Sequence, residues 1–231
     1  MKKNIGYLPD FREATNTIRK ILEFHRVKRS KEEFTLYCNE AYGSRNENTI
    51  RMTLTTLVNY GLLKEVEDFT YRITALGVEW LEGENQKEDL VIILNSRVDF
   101  IGELLYELRE RRRNSEDLLK NARDKYDIVI GKSDLTRRMQ VLADCGIVNM
   151  NRHKEYGLTA DGIKFCENHL RKEWKILEEN IQKNSVYTDK VSFKANADRP
   201  IKNNKNKPLS MQEDLANVIE KYGWEIKNIT R

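Results

Sequence analysis

The chain repeats itself. Displacing the sequence by 85 residues lays 50–82 over 135–167 without a gap, and seven positions then coincide: Leu57 with Leu142, Gly61 with Gly146, Tyr71 with Tyr156, Thr74 with Thr159, Ala75 with Ala160, Gly77 with Gly162 and Glu82 with Glu167. Conservative pairs fill the frame, among them Ile50 with Leu135, Leu54 with Met139, Ile73 with Leu158 and Trp80 with Phe165. Whatever local structure the first stretch forms, the second must form as well. Two copies make a duplicated domain, since stacked solenoids need three or more repeats.

Within each copy the apolar residues first recur at helical spacing, as Ile50, Leu54, Leu57, Val58 and as Leu135, Met139, Leu142, Ala143. Each such helix ends at Gly61 or Gly146, where a left-handed residue costs no Cβ clash. A short strand follows (Leu62 to Val66, or Ile147 to Met150), then a polar turn and a returning strand through Tyr71 or Tyr156. Thr74 and Thr159 stand where they can cap a closing helix. Upstream of each copy lie two more helical patterns. One pair is built on Ile18, Ile21, Leu22 and on Phe34, Tyr37, Ala41, the latter opened by the capping-box sequence Ser30-Lys31-Glu32-Glu33. The other is built on Ile101, Leu104, Leu105, Leu108 and on Leu118, Leu119, Ala122. The expected fold is mainly α with small β-hairpin wings, in the order of a winged helix-turn-helix occurring twice. The expected divisions are 1–85, 86–170 and 171–231. The last comprises an amphipathic helix over 170–184, a basic linker over 185–208 and a short helix from Ser210 to near Gly223.

Charge is nearly balanced, with 41 Lys plus Arg against 37 Asp plus Glu in 231 residues, and the basic excess lies after residue 170. The longest strongly apolar run, Leu90 to Leu94, is far short of the ~20 residues of a membrane span. Lys2 and Lys3 are followed by polar residues and not by a signal-peptide core, so the expected compartment is the cytoplasm and no membrane partner is expected. Cys38, Cys145 and Cys166 are odd in number and widely spaced, which argues for reduced thiols.

The two runs Leu57-x-x-x-Gly61-Leu62-Leu63…Tyr71-Arg72-Ile73-Thr74-x-x-Gly77 and Leu142-x-x-x-Gly146-Ile147-Val148…Tyr156-Gly157-Leu158-Thr159-x-x-Gly162 resemble winged-helix DNA-binding domains over roughly 10–170. The junction between them, from the Thr-x-x-Gly helix through Asp89–Leu94 to Phe100–Leu108, resembles the run between recognition subdomains in FokI-like type IIS restriction endonucleases. That resemblance implies an array of winged-helix units reading double-stranded DNA, joined by a linker to a separate nuclease domain or subunit. No nuclease segment is legible in these 231 residues, so cleavage is expected from elsewhere.

In a helix-turn-helix the third helix enters the major groove with the face opposite its core stripe. In the first copy that face carries Asn48, Met52, Thr55 and Thr56, preceded by Arg45 and Asn46. In the second it carries Ser133, Arg137, Gln140 and Val141, preceded by Lys132. Arg pairs with guanine and Gln or Asn with adenine, so the second helix holds the more readable chemistry. Arg152-His153-Lys154 tips the second hairpin and suits phosphate, whereas Glu67-Asp68 tips the first and repels it. No phosphate-binding glycine motif or zinc-spaced cysteine pair is present. The Glu-x-Lys pairs at Glu173 and Glu225 are no more frequent than chance predicts, so no metal, cofactor or catalytic residue is expected. Two other readings fit these residues: a stand-alone regulator or plasmid or phage replication initiator, and an adaptor whose winged helices bind protein.

Overall fold

Each copy is held by one clasp. Thr74 caps the helix that follows its hairpin, its Oγ1 accepting from Gly77 N at 2.9 Å and donating to Gly61 O at 2.6 Å, while Thr74 N donates to Leu62 O at 3.0 Å. Thr159 does the same at the same lengths with Gly162, Gly146 and Ile147. Gly77 and Gly162 are required at the clasp, because an added Cβ would collide with the carbonyl oxygen of Leu62 or Ile147. Gly61 and Gly146 supply φ values of 78° and 79° where the preceding helix turns into the strand.

A computed structural model of the chain describes residues 2–43 and 46–181, which belong to one unit covering 1–184. The first copy runs α1 (Ala14–Phe24), β1 (Arg29–Ser30), α2 (Lys31–Tyr42), α3 (Glu47–Asn59), β2 (Leu63–Glu67), β3 (Thr70–Ile73) and α4 (Ala75–Glu82). A partly buried helix, α5 (Gln86–Arg97), leads to the second copy, α6 (Gly102–Glu110), α7 (Ser115–Tyr126), α8 (Lys132–Asp144), β4 (Val148–Met150), β5 (Tyr156–Leu158) and α9 (Ala160–His169). A further helix, α10, occupies 171–181. The protein is therefore mainly helical with two small antiparallel sheets, ordered β1-β3-β2 and β4-β5. The duplication extends to the bridge that closes each sheet: Arg29 pairs with Tyr71, and Arg113 with Tyr156. Positive φ recurs at the equivalent hairpin residues Phe69 and Lys154.

The expected capping box at Ser30 is present: Ser30 Oγ accepts from Glu33 N, and Glu33 returns to Ser30 N. The amphipathic helix expected over 170–184 is described as far as residue 181. Its Trp174 is buried and donates from Nε1 to Gly102 O at 3.2 Å. The expected linker over 185–208 and the helix from Ser210 lie outside the described residues.

Two features join the copies. Residues 3–8 form a strap that runs between α3 and α8. Lys3 N donates to Arg97 O and Asp99 N to Lys3 O, while Ile5 and Leu8 are buried. The second feature is Arg138, on α8 but fully buried. Its guanidinium donates to Asp99 O at 3.1 Å, Asp134 O at 3.0 Å and Asn4 Oδ1 at 3.2 Å. Burial holds its pKa below the ordinary arginine value, against the pull of nearby Asp134.

Gly162→Ala is expected to cost about 1–3 kcal/mol in chemical denaturation, the usual range for overpacking, and Gly77→Ala a similar amount. Arg138→Ala is expected to cost about 2–5 kcal/mol, because it leaves a cavity and unmet acceptors. Arg138→Lys should restore little, since one ammonium cannot span three acceptors. His25, fully buried with Nδ1 against Ile21 O at 2.8 Å, has its pKa lowered by burial to about 4. The neutral ring is thus the folded form, and the unfolded chain binds the proton more readily. Stability from this group is complete above about pH 6.5 and falls as pH drops toward 4. Comparing denaturation midpoints across that window, His25→Phe should show a shallower decline than the native chain.

Candidate nucleic-acid interface

The polar stripes expected on α3 and α8 exist, but the strap covers part of each. On α3, Asn48, Met52 and Thr55 are exposed, and Asn46 caps the helix by accepting from Asn48 N at 2.9 Å and Thr49 N at 3.3 Å. Thr56 does not face outward, contrary to the expectation from spacing. It is 2% exposed, accepts from Tyr7 N at 2.8 Å, donates to Met52 O at 2.7 Å and packs directly under Gly6. Arg51 is exposed on the same side and was missed. It lies three residues after Asn48 and four before Thr55, so helical spacing alone places it there. Arg45 lies outside the described residues.

On α8 the exposed stripe is Ser133, Thr136 and, half-buried, Gln140, with Lys132 exposed at its start. Val141 is buried, not outward. Arg137 is partly covered. Its side chain is 30% exposed, donates to Gly6 O at 3.2 Å, pairs with Asp134 at 3.4 Å and lies 5.7 Å from the ring centres of both Tyr7 and Phe11. The expectation of a guanidinium free on the outer face is thereby corrected: the strap engages it and covers part of it. Thr136 replaces it geometrically, standing between Ser133 and Gln140 at helical spacing.

The same strap brings the two helices together. Lys3 Nζ donates to Asn59 Oδ1 at 2.7 Å on α3, and Asn4 Nδ2 donates to Asp134 Oδ2 at 2.9 Å on α8. Residues of both candidate reading helices therefore border one continuous segment of chain, although the two helices belong to different copies. A further bond between copies, Thr15 Oγ1 donating to Asp144 Oδ2 at 2.6 Å, fixes α1 against the end of α8.

The hairpin tips differ as their sequences suggest. Asn151 builds the second tip, its Oδ1 accepting from His153 N and Glu155 N, both at 2.9 Å, so that Arg152, His153 and Lys154 are all exposed. At the first tip Glu65 accepts from Phe69 N at 2.9 Å and Lys28 pairs with Glu67 at 2.7 Å. Carboxylates, of which Glu67 is paired with Lys28, and an exposed Phe69 thus stand where the second copy presents cations.

Among the described residues no three His, Cys, Asp or Glu side chains converge as a metal site. Cys145 and Cys166 are core thiols whose pKa burial pushes up to about 12. Glu173 accepts from Asn95 Nδ2 at 2.7 Å. No helix among the described residues is long and apolar enough to cross a membrane. Comparison of the chain with protein-family models, with curated proteins and with solved structures gave no match.

Proposed function

We propose that the chain binds double-stranded DNA sequence-specifically through two tandem winged helix-turn-helix units. In this reading it is the target-recognition part of a restriction endonuclease whose nuclease is supplied by a separate domain or subunit. The observation that carries the reading is the congruence of the copies: in each, a helix with an exposed polar stripe ends at a left-handed glycine and is locked to a hairpin by the same Thr-x-x-Gly clasp. That geometry suits a helix laid in the major groove with a hairpin against the adjacent backbone. Restriction as the process rests on the resemblance at the junction alone. Asn48, Arg51 and Thr55 from α3, with Ser133, Thr136 and Gln140 from α8, are the base-edge candidates. Lys132, Arg152, His153 and Lys154 are the phosphate candidates.

One observation favours a second reading. The strap covers part of both stripes, and the first hairpin tip carries an exposed Phe69 near the Lys28–Glu67 pair. Such a surface suits a protein partner, as in an adaptor.

Selecting preferred duplexes from a random pool distinguishes the roles. Gln140→Ala is expected to relax discrimination at one base pair by about 1–3 kcal/mol. Removing Arg152 and Lys154 together should weaken all sequences alike and flatten the dependence of affinity on salt. Arg137→Ala should lower thermal stability with no change in the preferred site, because its partners are Gly6, Tyr7, Phe11 and Asp134. No duplex binding at low salt, or a salt-independent response, would select the adaptor.

A further inference from the structure

On the solvent face of the first hairpin, Lys64 and Arg72 stand directly opposite one another across β2 and β3. Both are exposed, while their neighbours Leu63 and Ile73 point into the core beneath. Cross-strand neighbours sit ~4.5–5.5 Å apart at Cβ, and like charges placed so destabilise a sheet. Among the described residues neither cation has a carboxylate within salt-bridge distance. Of the acids around the hairpin, Glu67 is held by Lys28 at 2.7 Å, Glu23 and Glu82 by Arg26 at 2.7 and 3.1 Å, and Glu65 accepts from Phe69 N at 2.9 Å. Lys64, Arg72 and Arg26 together line a cavity of about 290 Å³, floored by Ile73, Thr74, Ala75 and Val78.

The second copy keeps a cation at this place by other means. Asn149 and Gly157 pair at the equivalent register, and neither is charged. Arg112 lies across them instead. Its guanidinium donates to Asn149 Oδ1 at 2.7 Å and Glu155 O at 3.3 Å, and its Cγ is 2.8 Å from where a Cβ on Gly157 would stand. The residue that precedes the bridge in the first copy as Arg112 does in the second is Lys28, which is turned to Glu67. Positive charge on the hairpin's outer face thus recurs in both copies, carried by residues that do not correspond. Core packing does not demand this, since the position faces solvent.

We infer that the outer face of the first hairpin binds a phosphoryl anion, with Lys64 and Arg72 as its anchors. Arginine offers a two-pronged donor matched to phosphate oxygens and lysine a compact charge, and a doubly charged anion between them relieves their mutual repulsion. The phosphoryl group belongs either to a free phosphate compound or to a nucleic-acid backbone. The site lies on the opposite side of the hairpin from the packed face, so it does not depend on base reading by α3 or α8.

Thermal unfolding of the full chain in sodium phosphate and in sodium chloride at equal ionic strength tests the inference. Phosphate is expected to raise the midpoint beyond chloride. The double variant Lys64→Gln/Arg72→Gln is expected to melt higher than the native chain in chloride and to lose the phosphate increment. Lys120→Gln, at an exposed position on α7, should keep it. Equal midpoints in the two salts for the native chain, or an increment that survives the double substitution, overturns the site. Duplex binding then identifies the source. A several-fold loss of affinity for all sequences in the double variant assigns the anchors to backbone phosphate, and an unchanged affinity assigns them to a free phosphate compound. A chain that binds no duplex at all still reports in the phosphate arm, so failure of the DNA reading and failure of the anion site remain distinguishable.

Discussion

A guanidinium without a carboxylate holds the two halves of this protein in register. Arg138 is wholly buried, and its described acceptors are two backbone carbonyls and an asparagine oxygen, drawn from its own helix, from the turn before α6 and from the strap. A buried ion is expensive unless its donors are met, so the arrangement tolerates little displacement of any of the three. Asn4 in turn bonds Asp134 through its amide and Ile5 through its carbonyl. The strap's course, the covering of Thr56 and the capture of Arg137 all follow from where that segment is pinned.

What could be read in the sequence was whatever is decided within one copy. The clasp needs Thr and Gly three residues apart, the helix stop needs a left-handed glycine, and the capping box needs Ser30 and Glu33. Each is local chemistry with a residue signature, and the 85-residue repeat states it twice. Covering of a helix by chain 49 residues away, as at Thr56, or 131 away, as at Arg137, has no such signature. Thr56 and Val141 lie on faces that the periodicity of their own helices marks as outward, and Arg137 and Arg138 are adjacent cations that spacing alone does not tell apart. The packing of Tyr7, Phe11 and Gly6 separates them. The strap itself escaped notice because Gly6 and Pro9 break the three-residue spacing of Ile5, Leu8 and Phe11, which then marks neither a helix nor a strand. Helix α5 escaped for a related reason: within its run Leu90–Leu94 the one exposed residue, Ile92, is as apolar as its buried neighbours, so no polar residue marks the turn there.

The copies also differ where a shared fold permits. In the second, Glu107 on α6 is 2% exposed and accepts from Tyr126, Lys125 and Asn121 while pairing with Arg113. Burial pushes its carboxyl up, yet those donors outweigh burial and hold it below the ordinary value. No carboxylate is buried in α1 of the first copy, whose inward residues are Ala14, Thr15, Thr17, Ile18, Ile21 and Leu22. The second copy thus joins its first two helices by charge-assisted bonds and the first copy by apolar and aromatic contact, which includes Phe24 stacked on Tyr37.

The strap bears on how the chain is made. Synthesis delivers residues 3–11 first, yet Asn4, Gly6 and Tyr7 find partners on α8, which emerges more than a hundred residues later. Until then Asn4, Gly6, Tyr7 and Phe11 lack their partners Asp134 and Arg137. Long-range closure of this kind slows folding and prolongs the exposure of sticky intermediates. A nascent chain halted before α8 would hold the strap and α3 but lack the helix to which the strap joins them.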